Sequence, residues 1–207
     1  VPGSRWISTQ SSFQSWASWT LVDFRVSVEA SGTSASTQTN SDEPSWTNLA
    51  RVWLAAEHFL RTGRRRLAFA GCDDMPNHEA RWVGFFSALQ AAGHPLDCIV
   101  RWHSFDEVVR GIRADRGKLD GIFFAADWLT IDVCNLLRRE GIELQRDVAL
   151  VSFDNTPALH HAGLEIPAVA ADRAGMVDRA IAAIRDPALS GIVTLDVNLV
   201  LPAHERV

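Results

Sequence analysis

The chain has 207 residues, of which 47% are hydrophobic and 22% are charged, a composition typical of a globular protein with one large domain or two small lobes. Its formal net charge of -5 argues against a broad nucleic-acid-binding surface, because such a surface needs clustered excess Lys and Arg. The three cysteines show no ligand spacing, so we expect no disulfide framework, no zinc site and a reducing, cytoplasmic compartment. No apolar run is long enough to span a membrane.

Residues 1–46 differ in composition from the rest of the chain. They are rich in Ser and Thr, and residues 31–45 indicate a loop or linker. Only Trp19–Phe24 (WTLVDF) is typical of a buried strand. We therefore predict an irregular Ser/Trp-rich segment with a single strand before residue 47.

From residue 47 onwards, short apolar runs alternate with helical patterns. The first helix is predicted over residues 49–63, with Thr47 or Asn48 as its cap and Gly63 at its end. A second helix follows residue 77, because its large apolar residues recur at spacings of three and four up to Leu89. Strands are predicted over residues 67–70, 98–103, 121–126, 148–153, 166–170 and 194–201, further helices over 105–117, 127–141 and 172–184, and a turn over 154–163.

Continuous apolar strands that alternate with helices predict an α/β fold with a parallel sheet covered on both faces. Such a sheet presents ligand-binding groups beyond the carboxyl ends of its strands. Parallel strands would bring four segments to one edge, namely Gly71–Asn77, His103–Ser104, Ala126–Trp128 and Asp154–Thr156.

Asp154 directly follows a predicted strand, so its carboxylate would project from this edge. A carboxylate there can accept hydrogen bonds from the vicinal hydroxyl groups of a sugar. Alternatively, it caps the following turn by accepting from the backbone N–H of Thr156 or Ala158. The pattern alone leaves both interpretations open.

Arg81 lies in the first turns of the second helix, off its apolar face. Its guanidinium suits bidentate contact with a hydroxylated or carboxylated ligand, and the alternative is a surface arginine paired with Glu79 or a neighbouring residue. Asp73 and Asp74 indicate an acidic turn, since the loop lacks the alternating oxygen ligands of a calcium site.

Motifs of catalysis are missing from the sequence. We find no GxSxG, P-loop, HExxH or Cys/His pair in a nucleophile setting, so we predict that the protein is not an enzyme. We expect no catalytic residue, no metal and no cofactor. The adjacent His160 and His161 would make a poor chelating pair.

Four segments, in this order and spacing, resemble LacI/GalR transcriptional regulators. The first is LAAEHFLRTGRRRLAFAG, a helix, a glycine and basic residues that lead into an apolar strand. The second is EARWVGFFSALQAAG, with an arginine three residues before a Gly-aromatic pair. The third runs from residue 120 to residue 157 and contains a strand that ends in FDN, and the last is TLDVNLVLPAHERV.

The resemblance implies a periplasmic-binding-protein-like type I fold, in which a small ligand, often a sugar or a nucleobase, lies between two lobes. Family ligand contacts carry over to Arg81 and Asp154. His103 and Trp128 lie near family contact positions, and Asn77 completes the predicted set of ligand-binding residues.

The sequence departs from the family pattern at three places. Ala126 stands where the family usually has Asn, so one customary polar ligand contact is lost. Arg173 replaces a common aromatic or apolar contact, and Ser152 replaces the usual glycine before Phe153.

The resemblance also implies a domain organisation. We expect residues 47–170 to form a nearly complete C-terminal lobe, 171–192 to be a returning helix of the N-terminal lobe, and 193–207 to be the final strand and tail. The rest of that lobe and the helix-turn-helix segment are not recognised in this sequence, so we expect an N-terminally truncated chain. DNA binding would need a helix-turn-helix outside it, and the intact regulator would be a homodimer.

We therefore predict a sugar-like effector-binding domain of a LacI-type regulator. Two alternatives remain open at this point, a periplasmic-type solute-binding protein and a non-functional truncated remnant. A solute-binding protein would need a secretory signal, and the sequence does not resemble one at its start.

Overall fold

The computed structural model describes residues 47–115, 117–186 and 197–205, and the predicted strand Trp19–Phe24 lies outside them. Helices and strands alternate along this part of the chain as the sequence predicts, except that a short helix over Leu144–Asp147, which was not predicted, precedes the fourth strand. In order they are α1 (Thr47–Arg61), β1 (Leu67–Ala70), α2 (Pro76–Ala91), β2 (Ile99–Trp102), α3 (Phe105–Asp115), β3 (Gly121–Phe124), α4 (Asp127–Arg139), α5 (Leu144–Asp147), β4 (Ala149–Phe153), α6 (Pro157–His161), β5 (Ala168–Ala171), α7 (Arg173–Arg185) and β6 (Val197–Val200).

The strands form one sheet in the order β2-β1-β3-β4-β5-β6. The first five strands in this order run parallel, with Ala70 opposite Trp102 on one side and Phe124 on the other. The predicted parallel sheet is therefore confirmed. β6 is the exception, because it pairs antiparallel with β5.

Helices cover both faces of the sheet, which explains why the strands are continuously apolar. Alternate residues of β1 point to opposite sides, so Ala68 and Ala70 join one core while Leu67 and Phe69 join the other. The first core is filled by α3 and α4, and the second by α1 and α2. Every residue of β1 and β3 is buried as a result.

The segment 154–163, predicted as a turn, contains the short helix α6. Pro157 stands in its first turn, where the fixed φ of proline favours a helix and its missing N–H costs nothing. Leu159 is fully buried in the core on the α4 side and holds α6 against the sheet. The strand that follows begins at Ala168, two residues later than predicted.

Helix α7 packs differently from the other long helices. None of its residues is buried, and Val177, Ile181 and Ile184 leave between 41% and 71% of their surface exposed. Its bounds agree closely with the predicted helix over residues 172–184. The assignment of this helix to a second lobe, and the domain boundaries that go with it, stay predictions.

Phe123 at the centre of the α1/α2 core gives a test of this packing. Its ring lies 5.1 Å from that of Phe85 and 5.6 Å from that of Phe69, and the side chain is fully buried. We expect Phe123→Ala to lower the free energy of unfolding by about 3–5 kcal/mol in a denaturant titration, since it removes a buried ring and leaves a cavity. The control Trp53→Ala removes a side chain that is 49% exposed. Equal losses for both variants would contradict the packing described.

Candidate ligand-binding site

The carboxyl ends of β1, β3 and β4 meet at one edge of the sheet, because these strands are parallel neighbours. The turn after β1 leads into α2, whose second turn carries Arg81. The turn after β4 begins with Asp154. The fold therefore brings together Arg81 and Asp154, which lie 73 residues apart in the sequence.

Arg81 is buried, contrary to the expectation that it lies off the core face of its helix. Only 7% of the residue is exposed. Its guanidinium carbon lies 3.7 Å from the centre of the Phe153 ring, and Nη1 donates to the carbonyl oxygen of Ala125. Nη2 lies 3.3 Å from Oδ1 of Asp154. The cation is thus stacked on an aromatic ring and held at the ends of two strands.

Asp154 has a backbone conformation that favours glycine. Its φ is 103°, and that of Asn155 is 50°. A non-glycine residue in this region costs about 1–3 kcal/mol, which other contacts must offset. Its N–H donates to the carbonyl oxygen of Val169 at 2.9 Å, and its side chain is 39% exposed. A carboxylate therefore lies at the open edge of the sheet, fixed from behind by Arg81.

Two of the alternative partners of these residues form other contacts in the structure. The N–H of Thr156, which Asp154 could have capped, donates to Asp127. Glu79, which could have paired with Arg81, forms an ion pair with Arg101.

His103 belongs to a second, more exposed cluster on this edge. Its Nδ1 lies 2.9 Å from a carboxylate oxygen of Asp73, and Arg101 donates to the same carboxylate at 2.8 Å. Partial burial alone would raise the pKa of Asp73, but the hydrogen bonds and charges of His103 and Arg101 lower it below its usual value. The acidic turn predicted at Asp73 is thus part of an ion-pair network.

Trp128 is the second residue of α4, and Asn77 is the second residue of α2. The Trp128 ring stacks on that of His78, with 6.1 Å between centres and 21° between planes, and remains 44% exposed. Asn77 is exposed in the first turn of α2.

His78 was not among the residues predicted from the sequence. It is 3% exposed, and its Nδ1 accepts from the N–H of Cys72 at 3.0 Å. Burial, and next the charge of Arg81, lower the pKa of His78 to about 4, so its ring is neutral at physiological pH. The one available signal was its position three residues before Arg81, on the same face of α2.

A buried hydrogen-bond network lies behind the turn that follows β4, and the sequence did not predict it. Asp127 is 2% exposed and accepts from the hydroxyl of Ser152 at 2.5 Å and from the N–H of Thr156. The hydroxyl of Thr130 lies 2.8 Å from that of Ser152. In the sequence, Ser152 is notable only because it replaces the glycine that is usual in the family.

Metal-binding side chains and reactive thiols were considered for the part of the chain that the structure describes. Within residues 47–115, 117–186 and 197–205, no group of three or more His, Cys, Asp or Glu side chains could hold a metal ion. The three cysteines are free thiols. Burial raises the pKa of the Cys134 thiol to about 12, which keeps it protonated and unreactive at neutral pH. No helix of the described residues is long and apolar enough to cross a membrane.

Comparison with known proteins gives a consistent set of relatives. The model of the periplasmic binding protein-like domain matches residues 56–192. The HTH-type transcriptional regulator CelR of Thermobifida fusca is 32% identical over 158 residues, which cover 72% of this chain and 46% of that protein. The HTH-type transcriptional regulator GntR of Pseudomonas aeruginosa is 30% identical over 114 residues, which cover 50% of this chain and 32% of that protein. The chain thus spans less than half the length of these curated relatives.

A solved structure agrees with these relatives. The complex of the transcriptional regulator CelR with cellobiose superposes with a TM-score of 0.58 at 25% identity, over 75% of this chain and 51% of that one. The family model covers more than half of the chain, and the resemblance predicted from the sequence is confirmed. The chain therefore belongs to the periplasmic binding protein-like domain family, and the curated relatives that it matches are HTH-type transcriptional regulators.

Proposed function

We propose that the edge formed by Arg81 and Asp154 binds a small hydroxylated effector, and that a sugar is the class it fits best. The observation that carries the proposal is a buried guanidinium that holds a partly exposed carboxylate 3.3 Å away, at the carboxyl ends of parallel strands. A carboxylate accepts several hydrogen bonds at once, so Asp154 can contact Arg81 and the hydroxyl groups of a ligand together. The cellobiose bound to CelR supports this ligand class.

An aromatic surface beside this pair favours the same class of ligand. Sugar-binding sites combine a few fixed polar groups with apolar and aromatic walls. The exposed Trp128 ring, supported from behind by His78, offers such a wall. Ala126 is 2% exposed and has no polar side chain, so it adds no contact to this proposal. His103 and Asn77 are further contacts in this proposal.

The proposal for the whole protein follows from its relatives. We propose that binding at this edge regulates DNA affinity in a homodimeric, cytoplasmic regulator, through a helix-turn-helix domain like that implied by the names of CelR and GntR. The relatives are transcriptional regulators and not enzymes, which supports a binding role without catalysis. Three free cysteines are compatible with a reducing compartment.

Substitution of the central pair tests the binding site. We expect cellobiose to raise the Tm of the protein, and Asp154→Asn and Arg81→Lys each to weaken its affinity by about tenfold or more in a calorimetric titration. Asn keeps the size of the side chain but removes the charge, whereas Lys keeps the charge but removes the planar fork of donors.

The matched control for this experiment is Asp74→Asn, which changes an exposed carboxylate on the same edge. This variant should bind cellobiose as the unmodified protein does. The same measurements with glucose and ribose test whether monosaccharides bind as well. The proposal fails if no sugar raises the Tm, or if binding persists unchanged when Asp154 or Arg81 is replaced.

The buried imidazole of His78 predicts a pH dependence of stability. Its pKa is about 4 in the folded chain and 6.5 by default in the unfolded chain, so the unfolded chain takes up the proton first as pH falls. The contribution of His78 to the free energy of unfolding is therefore fully present above about pH 6.5. As the pH falls towards 4, this residue lowers the free energy of unfolding by about 3 kcal/mol. Denaturant titrations across this range should show that His78→Gln removes this part of the decrease. The exposed His161→Gln serves as control, and equal pH profiles for protein and His78→Gln would contradict the prediction.

A further inference from the structure

Asp127 connects two elements behind the proposed site. It is the first residue of α4 and is 2% exposed, so its carboxylate is buried beside the N–H groups at the start of that helix. One oxygen accepts from the hydroxyl of Ser152 in β4, at 2.5 Å. The other accepts from the backbone N–H of Thr156, in the turn that follows β4. A single carboxylate thus links α4 both to a strand and to the turn after it.

The direction of hydrogen-bond donation from Ser152 to Asp127 is fixed by the chemistry of the two side chains. A carboxylate can only accept, so the single hydroxyl hydrogen of Ser152 is committed to Asp127. Ser152 must therefore accept in its 2.8 Å contact with the hydroxyl of Thr130. Thr130 also lies 2.9 Å from the carbonyl oxygen of Ala126, which can share the same hydrogen. The bond from Ser152 therefore orients the Asp127 carboxylate, and it does not need the hydroxyl of Thr130, which only donates to Ser152.

The turn that Asp127 contacts contains the two strained residues of the site. Asp154 and Asn155 have φ values of 103° and 50°. On the strand side, the N–H of Asp154 donates to the carbonyl oxygen of Val169 at 2.9 Å. On the other side, the next residue donates its N–H to Asp127. The strained pair is therefore held at both ends, and Asp127 provides the second attachment.

We propose that Asp127, oriented by Ser152, is a positioning residue that sets the direction of the Asp154 carboxylate by holding the N–H of Thr156. This inference rests on the proposed function of Asp154 as a ligand contact. Asp127 is not itself expected to touch the ligand. It acts through the backbone, because a change in the position of Thr156 alters the φ values that aim Asp154 at the open edge of the sheet.

The ligand-based test compares three buried substitutions in the full chain. Asp127→Ala removes both accepting oxygens, and Ser152→Ala removes the group that orients the carboxylate. Thr130→Val is the matched control, since it removes a buried hydroxyl of the same network that does not contact the turn. We expect the Kd for cellobiose to rise about tenfold in Asp127→Ala and about fivefold in Ser152→Ala, and to change less than about twofold in Thr130→Val.

The Tm of each variant separates positioning from stability alone. All three substitutions should lower it, because each disturbs a buried network. A purely structural role predicts that loss of affinity follows loss of Tm in all three variants, Thr130→Val included. That result would overturn the inference.

A measurement without ligand separates failure of this inference from failure of the proposed function. Amide hydrogen exchange of Thr156 reports directly on its bond to Asp127. We expect about tenfold faster exchange in Asp127→Ala, which removes the acceptor of this bond, and little change in Thr130→Val. If cellobiose does not bind the unmodified protein but exchange at Thr156 accelerates as expected, the positioning of the turn stands and the ligand proposal fails. If Thr156 exchanges at the same rate in Asp127→Ala, Asp127 does not hold the turn.

Discussion

The site depends on one constraint, a guanidinium buried at the end of a parallel sheet. A charge removed from water is strongly unfavourable unless polar groups and an opposite charge compensate for it. Arg81 finds these at the ends of two neighbouring strands, with the carbonyl of Ala125 after β3 and the carboxylate of Asp154 after β4. The ring of Phe153 lies directly beneath it. Since these groups come from separate elements, α2, β3 and β4 must be correctly placed for the cation to be stable.

At the carboxyl edge of the sheet, a rigid aromatic core on one side supports exposed side chains on the other. The cation rests on an aromatic core in which Phe153 lies 6.5 Å from Phe123, ring centre to ring centre. Asp154 and Trp128 present exposed surface on the other side. The strained turn that contains Asp154 and Asn155 is attached to the sheet and to Asp127. The carbonyl of Asn155 also accepts a hydrogen bond from Arg173 at the start of α7. A carboxylate fixed in this way loses little freedom when it binds a ligand, which favours affinity.

Much of the fold could be predicted from the sequence, but the details of the site could not. Continuous apolar strands separated by helical patterns predict a covered parallel sheet, and its carboxyl edge then follows. Strand direction has no signature of its own, so the antiparallel β6 was not predicted. Helical periodicity places Arg81 off the core face, whereas the structure buries it because its partners come from strands distant in sequence. The positive φ of Asp154 and the stacking of His78 on Trp128 likewise arise only from tertiary contacts.

The most direct measurement of the central claim is a crystal structure determined with saturating cellobiose. The account predicts ordered sugar at the carboxyl edge of the sheet, with hydroxyl groups within hydrogen-bond distance of the Asp154 carboxylate and the Arg81 guanidinium, and with Arg81 still stacked on Phe153. A sugar bound elsewhere, or a complex in which Asp154 and Arg81 make no contact with it, would contradict the account.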